Sequence, residues 1–366
     1  MKAAVLSQIG GPLVIEDLPR PQPRNGEVLV KVTACGVCHT DLHVVKGEVK
    51  FPLPAVLGHE ISGVVEEIAS GVSGVKPGDR VVCTFIMPCG SCYYCIRGRD
   101  DLCETFFAMN RLKGTLYDGA SRVRRADGSP LAMYSMAGLA EYAVVPASDV
   151  FRAPADLPLA DTCILGCAIM TAYGAVKNQA QVMPGETVAV VGAGGVGSNV
   201  IQVARVFGAT EIIAVDVSDD KLDAARRLGA SQVVNASKGD PVAQVMSLTG
   251  GRGADVVIEA LGRPETVVNA FMMTCDGGRT VVIGIAAGQA TAGIEVTRLV
   301  RRGIRLSGSY GCRVRTDMPE VLRLAARGQI NVSQPITRRY RLEEADQAYA
   351  ALSRGQVIGR AIVVME

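Results

Sequence analysis

The sequence contains no tryptophan and only three histidines among its 366 residues. The absence of tryptophan excludes no function. The chain also lacks an excess of either charge, because 38 basic and 36 acidic residues leave a net charge of +2. A general nucleic-acid binder carries a clear basic excess, so nucleic acid is not expected as a partner. No apolar run reaches the roughly 20 residues that a membrane-spanning helix needs, so no membrane partner is expected.

The few histidines are concentrated in one short stretch, at His39, His43 and His59. Histidine used only to fill a surface or a core would be scattered along the chain. Here Cys38 and Glu60 stand beside the histidines, and both are residue types that bind zinc. A lone histidine is usually structural, but this cluster favours a metal site.

A second group of candidate ligands is formed by cysteines in the pattern C-x-x-C-x-x-C, followed by one more after a short gap: Cys89, Cys92, Cys95 and Cys103. Four thiolates at this spacing can hold one tetrahedral structural Zn²⁺. An iron–sulfur cluster is an alternative, as are four unrelated cysteines. A disulfide knot is disfavoured. The chain opens on a strand-like segment rather than a signal peptide, so we expect the reducing cytoplasm.

The length favours two domains. Residues 1–156 consist of short strands such as Ile61–Ile68, which predicts a β-rich, barrel-like domain whose loops carry the metal ligands. Residues 157–300 alternate strands such as Thr187–Val191 with helices, as βαβ units of a parallel sheet do. Residues 301–366 are expected to return to the first domain. The pattern also predicts helices over 196–207, 219–228, 319–327 and 342–353, and a last strand over 361–365.

A glycine-rich turn in the second domain predicts a dinucleotide site. Gly192-Ala193-Gly194-Gly195-Val196-Gly197 follows a buried strand and opens a helix, as the G-x-G-x-x-G fingerprint requires. The helix N-terminus would face the pyrophosphate. Asp216 ends the next strand, where a carboxylate can bind the ribose hydroxyls and repel a 2′-phosphate, so NAD is expected rather than NADP. A turn without a ligand, and a helix N-cap role for Asp216, are the alternatives.

Taken together, these residues resemble the zinc-dependent medium-chain alcohol dehydrogenases over nearly the whole chain. The resemblance implies an α/β protein with a GroES-like β-barrel catalytic domain and an inserted Rossmann domain, a doubly wound parallel sheet that binds the coenzyme. It also implies two zinc ions per chain, one catalytic and one structural. The matching motifs are Cys38-His39-Thr40-Asp41, Gly58-His59-Glu60, the four cysteines, Gly166-Cys167, the glycine turn and Asp216.

By this resemblance, Cys38, His59 and Cys167 are the protein ligands of the catalytic zinc, which leaves a fourth position for water or an alcohol. Cys163 lies four residues before Cys167, and the Gly-Cys context favours Cys167. Glu60 matches a residue that approaches the zinc transiently, with a plain structural carboxylate as the equal alternative. A cysteine at position 167 favours alcohol dehydrogenases over sugar-alcohol relatives, which often have a carboxylate there.

The resemblance also assigns a proton path and a reaction. Thr40 matches the hydroxyl that binds the alcohol oxygen, and His43 matches the group that passes the proton from the coenzyme ribose to solvent. The implied reaction is reversible hydride transfer between NAD and a primary alcohol, aromatic alcohols included, or its aldehyde. The remaining matches are His39 at the pyrophosphate, Lys221 and Arg360 at the coenzyme, and Phe85 in the substrate pocket wall.

Two rivals stay open at this point. Reductases of activated double bonds, such as enoyl-thioester reductases, share the fold, but zinc-free relatives lack the Cys38, His59 and Cys167 set. A non-catalytic NAD-binding protein with two structural zincs is the second rival. Semialdehydes, glutathione adducts and thioesters remain candidate substrates. Residues 106–138 form a stretch that shorter tetrameric members lack, which favours a homodimer over a homotetramer and could line a substrate channel.

Overall fold

In the computed structural model, which describes residues 1–365, the chain divides into two compact units. The first unit contains Met1–Cys167, Arg313–Gly328 and the chain from Ile336 onward. The second unit contains Ala168–Cys312 and Gln329–Pro335. The C-terminal part therefore belongs mainly to the first unit, and only the short segment Gln329–Pro335 belongs to the second.

The sequence pattern places the domain boundaries after residues 156 and 300. In the structure the first unit extends to Cys167 and the second to Cys312. The 3₁₀ helix Leu159–Gly166 is bonded to the first unit, because Ser62 Oγ donates to Leu159 O at 2.6 Å and Phe85 N donates to Gly166 O at 3.0 Å. The strand Arg305–Gly308 pairs with the sheet of the second unit. The contacts of these two segments place each of them with the unit to which it is bonded.

Strands and helices are numbered separately in chain order. The strands are β1 (Lys2–Leu6), β2 (Leu13–Asp17), β3 (Glu27–Val37), β4 (Ala55–Val56), β5 (Ile61–Ile68), β6 (Arg80–Cys83), β7 (Ala132–Met133), β8 (Tyr142–Pro146), β9 (Val150–Arg152), β10 (Thr187–Val191), β11 (Glu211–Asp216), β12 (Gln232–Asn235), β13 (Ala254–Glu259), β14 (Thr274–Val282), β15 (Arg305–Gly308), β16 (Ile336–Arg341) and β17 (Arg360–Val364). The α-helices are α1 (His39–Val45), α2 (Ala168–Gly174), α3 (Gly197–Val206), α4 (Asp219–Leu228), α5 (Pro241–Leu248), α6 (Pro264–Met273), α7 (Val296–Arg301), α8 (Val314–Ala326) and α9 (Ala345–Ser353).

The first unit is built around the long strand β3. It pairs antiparallel with β17, β5 and β8 in a sheet of order β16-β17-β3-β5-β6-β9, and a smaller sheet has the order β2-β1-β4-β7. Val28, Val30 and Val32 are buried as their alternation predicts, but Leu29 between them is also fully buried. Strand β3 is therefore covered on both faces at this point, as a central strand in a closed, barrel-like arrangement is.

The second unit contains a six-stranded parallel sheet of order β12-β11-β10-β13-β14-β15. Counted from β10, this is the strand order 3-2-1-4-5-6 of the Rossmann fold. All five residues of β10 are buried, and Ala189 and Val191 pack with Ile213 and Val215 of β11 in the core of the unit. The order reverses between β10 and β13, and the glycine turn leaves the carboxyl end of β10 at this point.

Several predicted elements have the expected bounds, and α8 does not. The sequence pattern starts this helix at Pro319, because proline is favoured in a first turn. The structure starts it at Val314, with Pro319 inside the helix. The carboxylate of the buried Asp317, in the first turn, accepts a hydrogen bond from the backbone N–H of Arg313 at 2.8 Å and so satisfies the N–H of the residue that precedes the helix.

Among residues 1–365, no single helix has the length and apolar character needed to cross a membrane, although the bent pair Leu159–Gly166 and Ala168–Ala180 passes on length and composition alone.

Candidate functional site

The four cysteines of the spaced motif converge in the first unit. The sulfur atoms of Cys89, Cys92, Cys95 and Cys103 all lie within 4.8 Å of one another. Every cysteine of the chain lies in the described part, and none forms a disulfide. This arrangement fits a closed tetrahedral metal site rather than a disulfide knot.

Backbone N–H groups point at these sulfur atoms and favour thiolates. Cys92 N lies 3.3 Å from Cys89 Sγ, and Phe106 N lies 3.4 Å from Cys103 Sγ. Burial opposes ionisation of Cys89, but hydrogen bonds from Thr105 and from the backbone of Ser91 and Cys92 lower its pKa to about 6. The pKa of Cys92 is also lowered, whereas burial raises the pKa of Cys95 and of Cys103, so the thiolate form that binds a metal is favoured at two of the four sulfur atoms.

The cysteine loop is tied to helix α8 by Arg315. Its guanidinium donates to the carbonyl of Cys95 and forms an ion pair with the buried Asp100 at 2.7 Å. The backbone N–H of Arg315 also donates to the Asp100 carboxylate at 3.0 Å. This link joins residues more than two hundred positions apart, so sequence spacing gives no signal for it.

A second group of metal-capable side chains, Cys38, His59 and Cys167, also lies in the first unit. Their ligand atoms lie within 4.8 Å of one another, and all three residues are buried. Cys167 Sγ is 3.4 Å from His59 Nε2. Cys163 is equally buried but belongs to neither metal-capable group found among the described residues. The structure therefore brings together the three ligands that the resemblance implies.

None of these three residues lies inside a helix or a strand. Cys38 is the N-cap residue of α1, His59 lies in the loop between β4 and β5, and Cys167 follows the 3₁₀ helix that ends at Gly166. A Cβ atom on Gly166 would lie 2.1 Å from the Cys83 carbonyl oxygen. Glycine therefore allows the segment to pass close to β6 and places Cys167 in the cluster.

The cluster is electrostatically coupled. Burial alone would lower the pKa of His59, but the charges of Asp41 and Cys38 outweigh it and raise that pKa to about 10. A hydrogen bond from Cys167 lowers the pKa of Cys38 well below its ordinary value. The neighbouring charges therefore favour the thiolate form of Cys38, which is the form of cysteine that binds a metal. A metal ion would displace the proton from the imidazole and release it to solvent.

A buried carboxylate and two aromatic rings surround His59. Its Nδ1 lies 3.1 Å from each oxygen of Asp41, so Nε2 is directed toward Cys167. The rings of Phe85 and Tyr134 meet the imidazole edge-on, with centroid distances of 5.9 and 6.0 Å. Phe85 is thus near the cluster, and its place in the substrate pocket wall stays a prediction. Tyr134 comes from the long stretch 106–138.

Glu60 and Arg360 form a buried ion pair beside the cluster. The guanidinium donates through Nη2 to one Glu60 oxygen and through Nε to the other at 3.4 Å, and both side chains are almost fully buried. In this structure Glu60 is therefore held by a cation and is not among the converging ligand atoms. The metal contact of Glu60 and the coenzyme contact of Arg360 both stay predictions.

The predicted proton path lies on α1. Thr40 Oγ1 is 3.5 Å from Cys38 Sγ, so this hydroxyl is next to the cluster. His43 lies one turn later, and its Nδ1 pairs with Glu48 in a partly exposed position. His39 begins the helix and is exposed. The spacing places Thr40 and His43 on one face of the helix, and both are partly buried.

The glycine turn of the second unit has the geometry of a phosphate cradle. Gly192 has a φ of +96°, which strains any other residue, and a Cβ atom on Gly197 would lie 1.8 Å from Gly192 O. A Cβ atom on Gly194 would meet nothing within 4 Å, so open space faces this backbone. Gly195 and Val196 complete the turn at the start of α3, whose N-terminus suits an anion.

Asp216 closes this turn from the neighbouring strand β11. Its carboxylate accepts hydrogen bonds from the N–H groups of Ala193 at 2.9 Å, Val217 at 2.8 Å and Ser218 at 3.1 Å. The carboxylate therefore orders the turn from the next strand, a role that its spacing did not reveal. Lys221, the other coenzyme residue predicted nearby, lies partly buried in the first turn of α4.

The residues present fit the groups that the resemblance implies. Four thiolates suit a structural zinc, and two thiolates with one imidazole suit a zinc that keeps a position for substrate. The imidazole is held at Nδ1 by a carboxylate, which is the usual support of a metal-bound histidine. The open face at Gly194 leaves room for a pyrophosphate.

Comparisons with known proteins agree with this geometry. Residues 24–155 match the alcohol dehydrogenase GroES-like domain, and residues 195–327 match the zinc-binding dehydrogenase domain. An NDMA-dependent alcohol dehydrogenase from Amycolatopsis methanolica is 36% identical, over 98% of this chain and 97% of that protein. An S-(hydroxymethyl)glutathione dehydrogenase from Synechocystis is 34% identical, over 98% of each chain. The crystal structure of benzyl alcohol dehydrogenase from Acinetobacter calcoaceticus is 32% identical, with a TM-score of 0.93 over 100% of this chain and 99% of that chain.

These matches confirm the predicted α/β fold, with its GroES-like domain and Rossmann-type parallel sheet. Dehydrogenases of this kind are oxidoreductases that act on small molecules. Since relatives above 30% identity extend along nearly the whole chain and both family domains are matched, the chain belongs to the zinc-dependent medium-chain alcohol dehydrogenases.

Proposed function

We propose that this protein catalyses reversible hydride transfer between NAD and a primary alcohol, aromatic alcohols included. The observation that carries the proposal is the convergence of Cys38, His59 and Cys167, because no fourth protein ligand joins them among residues 1–365. A structural site would be closed by a fourth protein ligand, as the four-cysteine cluster is. The aromatic side chains of Phe85 and Tyr134 beside His59 favour an apolar substrate.

Zinc in this site would supply Lewis-acid chemistry, which favours loss of the alcohol proton at neutral pH. The protein groups then have separate tasks. Thr40 Oγ1, next to Cys38, accepts a hydrogen bond from the alcohol and, on taking up that proton, would give up its own hydroxyl proton toward the coenzyme ribose. His43, paired with Glu48 in a partly exposed position, passes a proton to solvent. Bound NAD would supply the hydride acceptor, so that loss of one proton and one hydride converts the alcohol to the aldehyde.

The proposal is tested by following NADH formation with the purified, zinc-loaded protein. The panel contains primary, secondary and aromatic alcohols, a semialdehyde and the S-hydroxymethyl adduct of glutathione, because one relative is named for that adduct. Turnover that is fastest with primary or aromatic alcohols supports the proposal. If the glutathione adduct is turned over fastest, the proposed substrate class is wrong but the proposed hydride transfer to NAD is supported. No turnover of any compound by a protein with two bound zincs contradicts the proposal.

The electron acceptor is tested in a separate set of assays, because one relative at 36% identity is named NDMA-dependent. Each alcohol is therefore run with NAD alone, with NADP alone, and with NDMA added. Equal rates with and without NDMA support free NAD as the acceptor. Turnover that requires NDMA would contradict that part of the proposal.

Replacing Asp216 by asparagine is expected to weaken the preference for NAD over NADP by at least about tenfold. The substitution removes a charge that repels a 2′-phosphate, and one such repulsion at contact distance is worth about 1–4 kcal/mol. Asparagine keeps one side-chain oxygen, which can accept either from the N–H of Ala193 in the glycine turn or from the N–H groups of Val217 and Ser218. The measurement is kcat/KM for each coenzyme with one alcohol.

The matched control is Asp219→Asn, which removes a carboxylate at the start of α4. Asp219 is exposed and pairs with Lys238 at 2.7 Å, so its loss should leave the coenzyme ratio unchanged. An unchanged ratio in Asp216→Asn, or an equal change in both variants, would remove Asp216 from coenzyme selection.

A further inference from the structure

The carboxylate behind His59 is held by a side chain from the last helix of the chain. Asp41 is fully buried and accepts three hydrogen bonds. One comes from His59 Nδ1 at 3.1 Å, one from the N–H of Gly58 at 3.0 Å, and one from Tyr349 Oη at 3.0 Å. The tyrosine is the one partner among these three that lies far away in sequence.

Tyr349 is well placed to be a rigid donor. It lies in α9, its side chain is 2% exposed, and its hydroxyl is directed at one oxygen of Asp41. Burial, and then the charge of Asp41, raise the pKa of Tyr349 well above its ordinary value, so the hydroxyl keeps its proton. A hydrogen bond to a buried carboxylate is strong and strongly oriented.

We propose that Tyr349 is a positioning residue for the metal ligand His59 and acts through Asp41. By holding one carboxylate oxygen, Tyr349 fixes the plane of Asp41, and Asp41 in turn fixes the imidazole ring through Nδ1. The ring then presents Nε2 on the side of Cys167. This inference rests on the proposed function, because it assumes that a metal binds at this cluster. Outer partners of metal-bound histidines commonly affect metal affinity or activity by about 10- to 100-fold.

The test is the rate at which the zinc-loaded protein releases metal to a chromophoric chelator. The release phase of this cluster is identified as the one that a Cys38→Ala variant lacks. Tyr349→Phe keeps the buried ring and removes only the hydroxyl. We expect this phase to accelerate about tenfold, in line with other outer partners, while release from the four-cysteine cluster is unchanged.

Tyr340→Phe is the matched control, because Tyr340 also lies in the C-terminal part but its hydroxyl lies 3.4 Å from Arg338 Nη1. It should release both metals at the unsubstituted rates. Action through Asp41 is tested with Asp41→Asn. Once Asp41 is changed, adding Tyr349→Phe should have little further effect, since the two residues form one chain of contacts.

Three results would overturn the inference. The first is a Tyr349→Phe protein that releases zinc from this cluster at the unsubstituted rate. The second is a double variant in which Tyr349→Phe and Asp41→Asn multiply each other's effects on the release rate, and the third is equally faster release from both clusters, which indicates general loss of stability. Each of these leaves the proposed function standing if the unsubstituted protein binds two zincs and oxidises alcohols. An unsubstituted protein that binds zinc only at the four cysteines would overturn both proposals.

Discussion

Replacing Cys38 by alanine is expected to lower kcat/KM for alcohol oxidation by roughly a thousandfold or more. A Lewis acid contributes several kcal/mol to such a reaction, and each ~1.4 kcal/mol is a factor of ten in rate. The variant should also lose one of two zincs per chain, because a thiolate is missing from a three-ligand cluster. Binding of NADH, followed by its fluorescence, should persist, since the glycine turn belongs to the other unit.

Cys163→Ala is the control for this substitution. Cys163 is a fully buried cysteine four residues before Cys167, but it is not part of the cluster. Its variant should keep both zincs and most of its activity. An active Cys38→Ala protein would refute the ligand assignment. Loss of zinc from Cys163→Ala, with Cys167→Ala unaffected, would exchange the roles of these two cysteines.

Replacing Cys103 by serine is expected to destabilise the protein by several kcal/mol, because the binding energy of a structural zinc contributes directly to folding. Cys103 Sγ accepts hydrogen bonds from the N–H groups of Cys89 and Phe106, so the metal and the loop are ordered together. The variant should lose one zinc and unfold at a clearly lower temperature. Its remaining folded fraction should still oxidise alcohols, since the other cluster is intact.

Cys83→Ala is the control here, because Cys83 is also buried in the first unit but lies outside both clusters. It should keep two zincs. Loss of the metal from Cys103→Ser without loss of stability would contradict a structural role. Iron and visible absorbance in place of zinc in the unsubstituted protein would favour the iron–sulfur alternative.

Local sequence patterns predicted the β-rich character of the first domain and the parallel sheet of the second, whereas the GroES-like and Rossmann folds were implied by the resemblance. The predicted strands 61–68 and 187–191 have the bounds of β5 and β10, and the predicted helix 219–228 coincides with α4. The G-x-G-x-x-G turn is found between β10 and α3, because this motif encodes its own geometry within six residues. Metal-ligand spacing acts in the same way for the four cysteines, which are neighbours in sequence as well as in space.

Contacts between distant positions could not be obtained in this way. Tyr349 and Asp41 are separated by 308 positions, and no periodicity of either segment indicates that their side chains meet. The same holds for Arg315 and Asp100 at the cysteine loop. Arg360 was assigned to the coenzyme by resemblance alone, and its pairing with Glu60 depends on how β17 packs beside β3.

The most direct test of the central claim is to measure NADH formation from a primary alcohol while zinc is added back to metal-depleted protein. The account predicts that activity rises with occupancy of the Cys38, His59 and Cys167 cluster, and that occupancy of the four-cysteine cluster alone gives none. Activity that is already complete when only the four cysteines are occupied would contradict the account. So would a protein with both clusters filled that transfers no hydride.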